Sequence, residues 1–106
     1  MKTQLKKGAL DMCVLAVLAR RDSYAYELAS TLATAMDMGE GTIYPLMRRL
    51  QAESCVSTYV VESTSGPPRK YYSLTGIGRR RLLEMQAEWR SFVDEVDGVL
   101  QHQIEQ

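Results

Sequence analysis

The chain has 106 residues, with 13 Lys+Arg against 13 Asp+Glu and a formal net charge of +0. At that length a single folded body with a modest core is expected, burying roughly two-thirds of the unfolded surface, and a charged share of 25% with a hydrophobic share of 45% excludes a disordered chain. The neutral total is unevenly spread: residues 1–81 hold 12 Lys+Arg and seven acids, a balance of +5, while residues 82–106 hold one base and six acids, a balance of −5. A basic body with an acidic tail is a pattern of chains that contact nucleic acid, and equally of a well-solvated acidic helix.

Residues 5–20 read as a helix whose second half, Met12-Cys13-Val14-Leu15-Ala16-Val17-Leu18-Ala19, is apolar on every face. Such a helix must be covered on all sides, which a domain this small hardly achieves alone, so a partner surface is expected. Arg20-Arg21-Asp22-Ser23 interrupts the run, and Ser23 is placed to act as an N-cap. A second helix from about Tyr24 to Met36 carries Leu28, Leu32 and Met36 at helical spacing, and Asp37-Met38-Gly39-Glu40-Gly41 breaks it with two glycines. A third runs from Thr42 to about Glu53, with Ile43, Leu46, Met47 and Leu50 as its apolar stripe. With Thr42 as N-cap, Pro45 falls at the third helical position, where a missing N–H costs nothing.

The texture then changes. Val56–Glu62 alternates with the β-branched and aromatic content of a strand, Ser63-Thr64-Ser65-Gly66-Pro67-Pro68 is a turn cluster, and Arg69–Leu74 returns as a second strand. Tyr71 and Tyr72 must point to opposite faces, one to the core and one outward. Thr75 can cap a last helix from Gly76 to about Ile104. On it Leu82, Met85, Trp89, Phe92, Val96 and Val99 repeat at 3-4-3-4-3 spacing, a heptad seam for dimerisation that ends at Gln103.

The order of three helices, a β-hairpin and a long helix predicts a mainly α fold with a small β-hairpin (α+β). The expected architecture is a winged helix-turn-helix over residues 1–75 followed by a dimerisation helix over residues 76–106. In that geometry the third helix enters the DNA major groove. Opposite its apolar stripe it presents Thr42, Tyr44, Pro45, Arg48 and Arg49, hydroxyls and guanidinium groups that reach phosphates or base edges, and the hairpin tip offers Arg69 and Lys70.

These residues carry a resemblance. Gly41-Thr42-Ile43-Tyr44-Pro45, followed by Arg49-Leu50, resembles the recognition-helix signature of the PadR family of bacterial winged-helix transcriptional regulators. Gly66-Pro67-Pro68-Arg69-Lys70-Tyr71-Tyr72-Ser73-Leu74-Thr75, then Gly78, is similar to that family's wing and entry to its last helix. Ser23-Tyr24-Ala25-Tyr26-Glu27-Leu28 is similar to its second-helix opening, and Trp89 stands where the family usually has tryptophan. The resemblance implies a homodimer in which the last helix packs on the partner's first, in a short member with one C-terminal helix. Aromatics of that helix, Trp89 and Phe92, would line a site for a hydrophobic or aromatic effector in some such regulators. Ser54-Cys55 departs from the family's glycine and large aliphatic residue, and Ala25 from a common glycine.

Other residues read more plainly. Arg79-Arg80-Arg81 fits a solvated surface better than phosphate contact, since a helix start favours acids. Cys13 and Cys55 read as buried small hydrophobes. Lone His102, near the terminus, supports no metal or triad. No Ser/His/Asp set, phosphate loop or pair of catalytic carboxylates can be assembled, so neither an enzyme nor a cofactor is expected. No signal peptide or bilayer-length apolar run opens the chain, which points to a reduced, cytoplasmic protein. The function expected is a sequence-specific repressor that binds a pseudo-palindromic operator as a homodimer and is released by a small molecule. The alternative is a winged-helix protein-interaction module that binds no DNA.

Overall fold

The structure, a computed structural model, describes residues 2–104. Helix α1 (Lys2–Arg20) sends Leu10, Val14, Leu15 and Leu18 into the core, and leaves Met12, Cys13 and Ala16 half-buried on another side. Two residues later the chain is extended. Ser23 and Tyr24 form a short strand, β1 (Ser23–Tyr24), that pairs with Tyr72 and Tyr71. Ser23 is therefore not the N-cap of the second helix. Backbone pairing claims it, its side chain is buried, and α2 (Ala25–Met36) starts from an extended Tyr24 with no side-chain cap. Local capping and a tertiary ladder compete for the same serine, and the ladder wins.

The end of α2 also differs from the expectation. The break is made by Asp37, in the left-handed conformation at φ 53° and ψ 56°, and not by the glycines, none of which has a positive φ. Short polar side chains tolerate that region. Met38 N–H donates to the Ala33 carbonyl at 2.9 Å, closing the turn. Lys6 Nζ, from α1, donates to the Met36 carbonyl at 2.5 Å, placing a cation where the helix dipole favours one.

Helix α3 (Glu40–Ala52) begins two residues before Thr42. Gly39, extended, is its N-cap, and Glu40 supplies an acid to the first turn. Thr42 is consequently inside the helix, and Pro45 lies in its interior, where no N–H reaches back to Gly41. Gly41 and Pro45 are both exposed, so water can satisfy the freed carbonyl. The stripe of Ile43, Leu46, Met47 and Leu50 is buried as its spacing requires. Past α3, Ser54 takes the left-handed conformation at φ 66°, and Cys55 N–H donates to the Leu50 carbonyl at 2.9 Å. The position where the sequence lacks an expected glycine is thus one whose backbone favours glycine.

Strands β2 (Val56–Val61) and β3 (Arg69–Leu74) form the hairpin, and with β1 they make a three-stranded antiparallel sheet in the order β1-β3-β2. Val56 and Tyr72 face the helices and are buried. Tyr71 is on the outer face, stacked on Tyr59 at 5.6 Å and tilted against Tyr24 at 5.8 Å. Of the tyrosine pair, Tyr72 belongs to the core.

Thr75 joins sheet to helix. Its Oγ1 accepts from Gly78 N–H at 3.0 Å, capping α4 (Gly76–Ile104), and lies 2.7 Å from the Ser54 carbonyl oxygen and 2.9 Å from that of Cys55. The close approach at this joint admits only a glycine at position 78: a Cβ there would stand 2.0 Å from the Cys55 carbonyl oxygen. Helix α4 packs along α1, and Leu82 closes the core. The helix then continues past the body. A radius of gyration of 16.4 Å exceeds the roughly 13 Å of a compact chain of this length, and the longest dimension is 63 Å. Among the described residues no helix is long and apolar enough to cross a membrane.

Candidate nucleic-acid interface

The residues expected to read DNA divide into groups with different environments. On α3, Thr42 and Pro45 are exposed and Tyr44 is half-buried, its hydroxyl held neutral by burial and by nearby Glu40. Arg48 is exposed and has no acid partner among the described residues. Arg49 is tied down. Its Nη2 donates to Asp11 of α1 at 2.8 Å and its Nη1 to Glu53 at 3.4 Å, and the Asp11 hydrogen bond does most to push its pKa above the usual value. Thr42, Pro45 and Arg49 line a shallow groove of about 400 Å³ against Leu10 and Asp11.

Arg69 and Lys70 open strand β3 and do not sit on the turn itself. Strand alternation sends them to opposite faces. Arg69 stacks over the Tyr24 ring at 4.6 Å on the outer face, whereas Lys70 lies 5.4 Å from the Tyr72 ring. Lys70 pairs with Val60, on the face where Thr58 meets Gln51 of α3 at 3.3 Å. Lys70 therefore shares the α3 side of the sheet, and Arg69 does not. An outer-face tie, from Tyr59 Oη to Asp22 at 2.6 Å, anchors the tyrosine row and keeps the Tyr59 phenol from ionising at its usual pH.

Sequence reasoning missed the acids that hold Arg49. The i,i+4 spacing of Arg49 and Glu53 was the available signal; Asp11, 38 positions away, gave none. Glu53 also accepts from Arg81 at 2.9 Å, and this contact leads the effects that keep its carboxyl below the usual range. Arg81 is thereby a link between α3 and α4, while Arg79 and Arg80 are exposed.

The heptad residues divide too. Leu82 is 6% exposed and packs in the core of its own domain. Met85 is half-buried against that core. Beyond it Trp89, Phe92, Val96 and Val99 are exposed by 46%, 57%, 37% and 67%. Trp89 and Phe92 tilt against each other with centroids 6.5 Å apart. Trp89, with Met12, Cys13, Ala16, Gln86 and Val93, also lines an open groove of about 550 Å³ between α1 and α4. Burial raises the Cys13 pKa there. Among the described residues no three His, Cys, Asp or Glu side chains gather as metal ligands, and the side chains of His102 and Gln103 lie outside the described residues.

Residues 14–84 match the model of the transcriptional regulator PadR-like family. A PadR-like transcriptional regulator of Bacillus cereus is 35% identical, superposes with a TM-score of 0.81, and aligns over 92% of this chain and 97% of its own. A transcriptional regulator of Streptococcus is 38% identical with a TM-score of 0.81, over 92% and 97% of the two chains. A PadR-like transcription factor of Bacteroides fragilis is 40% identical with a TM-score of 0.75, over 92% and 96%. With the signature residues on α3 and the wing in their expected elements, and matches of this extent, the chain belongs to the PadR-like family, a family of transcriptional regulators and not of enzymes.

Proposed function

We propose that this regulator is a cytoplasmic, sequence-specific DNA-binding homodimer that represses transcription and is released by a small apolar or aromatic effector. The observation that carries the reading is Arg48, an exposed cation on the solvent side of α3 with no acid partner among the described residues, with Lys70 on the α3 side of the sheet. An unpaired cation keeps its full attraction for phosphate, where a paired one does not. The apolar stripe from Trp89 to Val99 supports a partner surface, since contiguous exposed apolar area marks an interface. Each protomer would then read one half-site, with recognition helices one DNA turn apart, about 34–36 Å. The groove between α1 and α4 supports an apolar effector, because Met12, Cys13, Ala16, Trp89 and Val93 line it, with Gln86, Arg90 and Asp94 as its polar wall.

Fluorescence anisotropy with a duplex from upstream of the chain's own coding sequence tests the central claim. Binding should weaken as salt rises, and Arg48→Ala should reduce the slope of log affinity against log salt by about one per protomer. A wild-type protein with no salt-dependent preference for that duplex over unrelated DNA, or an Arg48→Ala variant with an unchanged slope, would refute it.

A further inference from the structure

We propose that Asp11, on α1, is a positioning residue for sequence readout: with Glu53 it clamps the Arg49 guanidinium, making Arg49 a reader of base edges and not a phosphate anchor. This rests on the DNA-binding reading above. The clamp is a closed set of two acids and two bases. Arg49 bonds Asp11 at 2.8 Å and Glu53 at 3.4 Å, and Glu53 bonds Arg81 at 2.9 Å, so α1, α3 and α4 meet in one neutral cluster.

Three properties follow from that geometry. The first is charge: with carboxylates on two of its nitrogens, Arg49 offers a polyanion little net attraction, which leaves that task to Arg48. The second is the supply of donors. A guanidinium has five N–H groups in a fixed fork. The bonds to Asp11 and Glu53 use one on each terminal nitrogen, and the side chain remains 50% exposed beside Thr42 and Pro45. The third is restraint. A free arginine gives up rotamer freedom when it docks on a base, whereas a clamped one has lost it on folding. Asp11 is only 19% exposed, so a DNA complex that pulled Arg49 away would leave a partly desolvated carboxylate without its cation. The pair should therefore survive binding, with Arg49 using its remaining edge.

Enrichment of bound sequences from a random duplex library, read for wild type, Asp11→Ala, Arg49→Ala and the double variant, tests the inference. Asp11→Ala should lose discrimination at one base pair of each half-site by about 10-fold, with binding to mismatched duplex held or tightened because an acid has been removed. Arg49→Ala should lose the same base pair, and the double variant should lose nothing more. A wild-type consensus that Asp11→Ala retains at every position overturns the inference alone. So does a loss spread evenly over all positions together with a lower Tm, which would mark damage to the fold. A wild-type protein that enriches no sequence overturns the DNA-binding reading itself, and this inference with it.

Discussion

The joint between sheet and last helix supplies the sharpest stability prediction. Gly78→Ala adds one methyl group whose carbon would lie 2.0 Å from the Cys55 carbonyl oxygen and 2.7 Å from Leu74 Cδ1, where ordinary contact is 3.4–4 Å. The closest neighbour is backbone and cannot swing aside. Helix α4 would have to retreat by more than an ångström. That strains the hydrogen bonds in which Thr75 N–H meets the Cys55 carbonyl at 3.1 Å and Thr75 Oγ1 accepts from Gly78 at 3.0 Å. Overpacking costs about 1–3 kcal/mol and each lost hydrogen bond about 1 kcal/mol. The better helix propensity of alanine returns about 1 kcal/mol. The net loss is about 3 kcal/mol, or a Tm about 12 °C lower for a domain of this size. Thermal unfolding followed by circular dichroism at one fixed protein concentration measures it. Gly98→Ala is the control: nothing lies within 4 Å of its Cβ, so the same change should stabilise by up to about 1 kcal/mol. An unchanged or higher Tm for Gly78→Ala would refute the reasoning.

Ser54→Gly should act in the opposite direction, because Ser54 holds φ 66° and a side chain costs about 1 kcal/mol there; the Tm should rise by about 4 °C, and a fall would count against the assigned backbone. Phe92→Asp combined with Val96→Asp places two charges on the exposed stripe of α4 and should give monomers in sedimentation velocity with the helical signal intact; an unchanged dimer would remove the stripe from the interface. Cys13, with its pKa raised by burial, holds less thiolate at neutral pH than a free thiol. Iodoacetamide should alkylate it severalfold more slowly than a model peptide thiol, with a rate still climbing above the pH where the peptide levels off. A rate equal to the peptide's would contradict the buried environment.

What could be read from the sequence was what repeats at short range. The Ile43-Leu46-Met47-Leu50 stripe, the hairpin and the Thr75 cap depend on spacing and local chemistry, and each is where the pattern puts it. The departures come from contacts between distant residues. Ser23 looks like a cap until Tyr72, 49 positions later, pairs with it. Helix α3 starts at Glu40 although Thr42 is the better capping residue, because the left-handed Asp37 and extended Gly39 have already set the chain's direction. Arg49 carries the same charge as Arg48 and adjoins it in sequence, yet among the described residues α1 brings an acid, Asp11, to Arg49 alone. Leu82 fits the heptad count, but position along a seam does not say where the domain's own core ends.

The projecting last helix is also a lever. Its 29 residues span about 43 Å, seated at one end by the turn around Thr75 and Gly78 and by packing on α1. A tilt of about 5° at that hinge swings the far end by nearly 4 Å. In a two-fold pair joined through these arms, the error would appear in both protomers and so twice in the separation of the recognition helices. DNA sets that separation by its pitch and bends only at a cost. In such a pair the tight seat of Gly78 against Cys55 would be a matter of gauge as well as of stability, because it would limit the angle from which two reading heads are spaced.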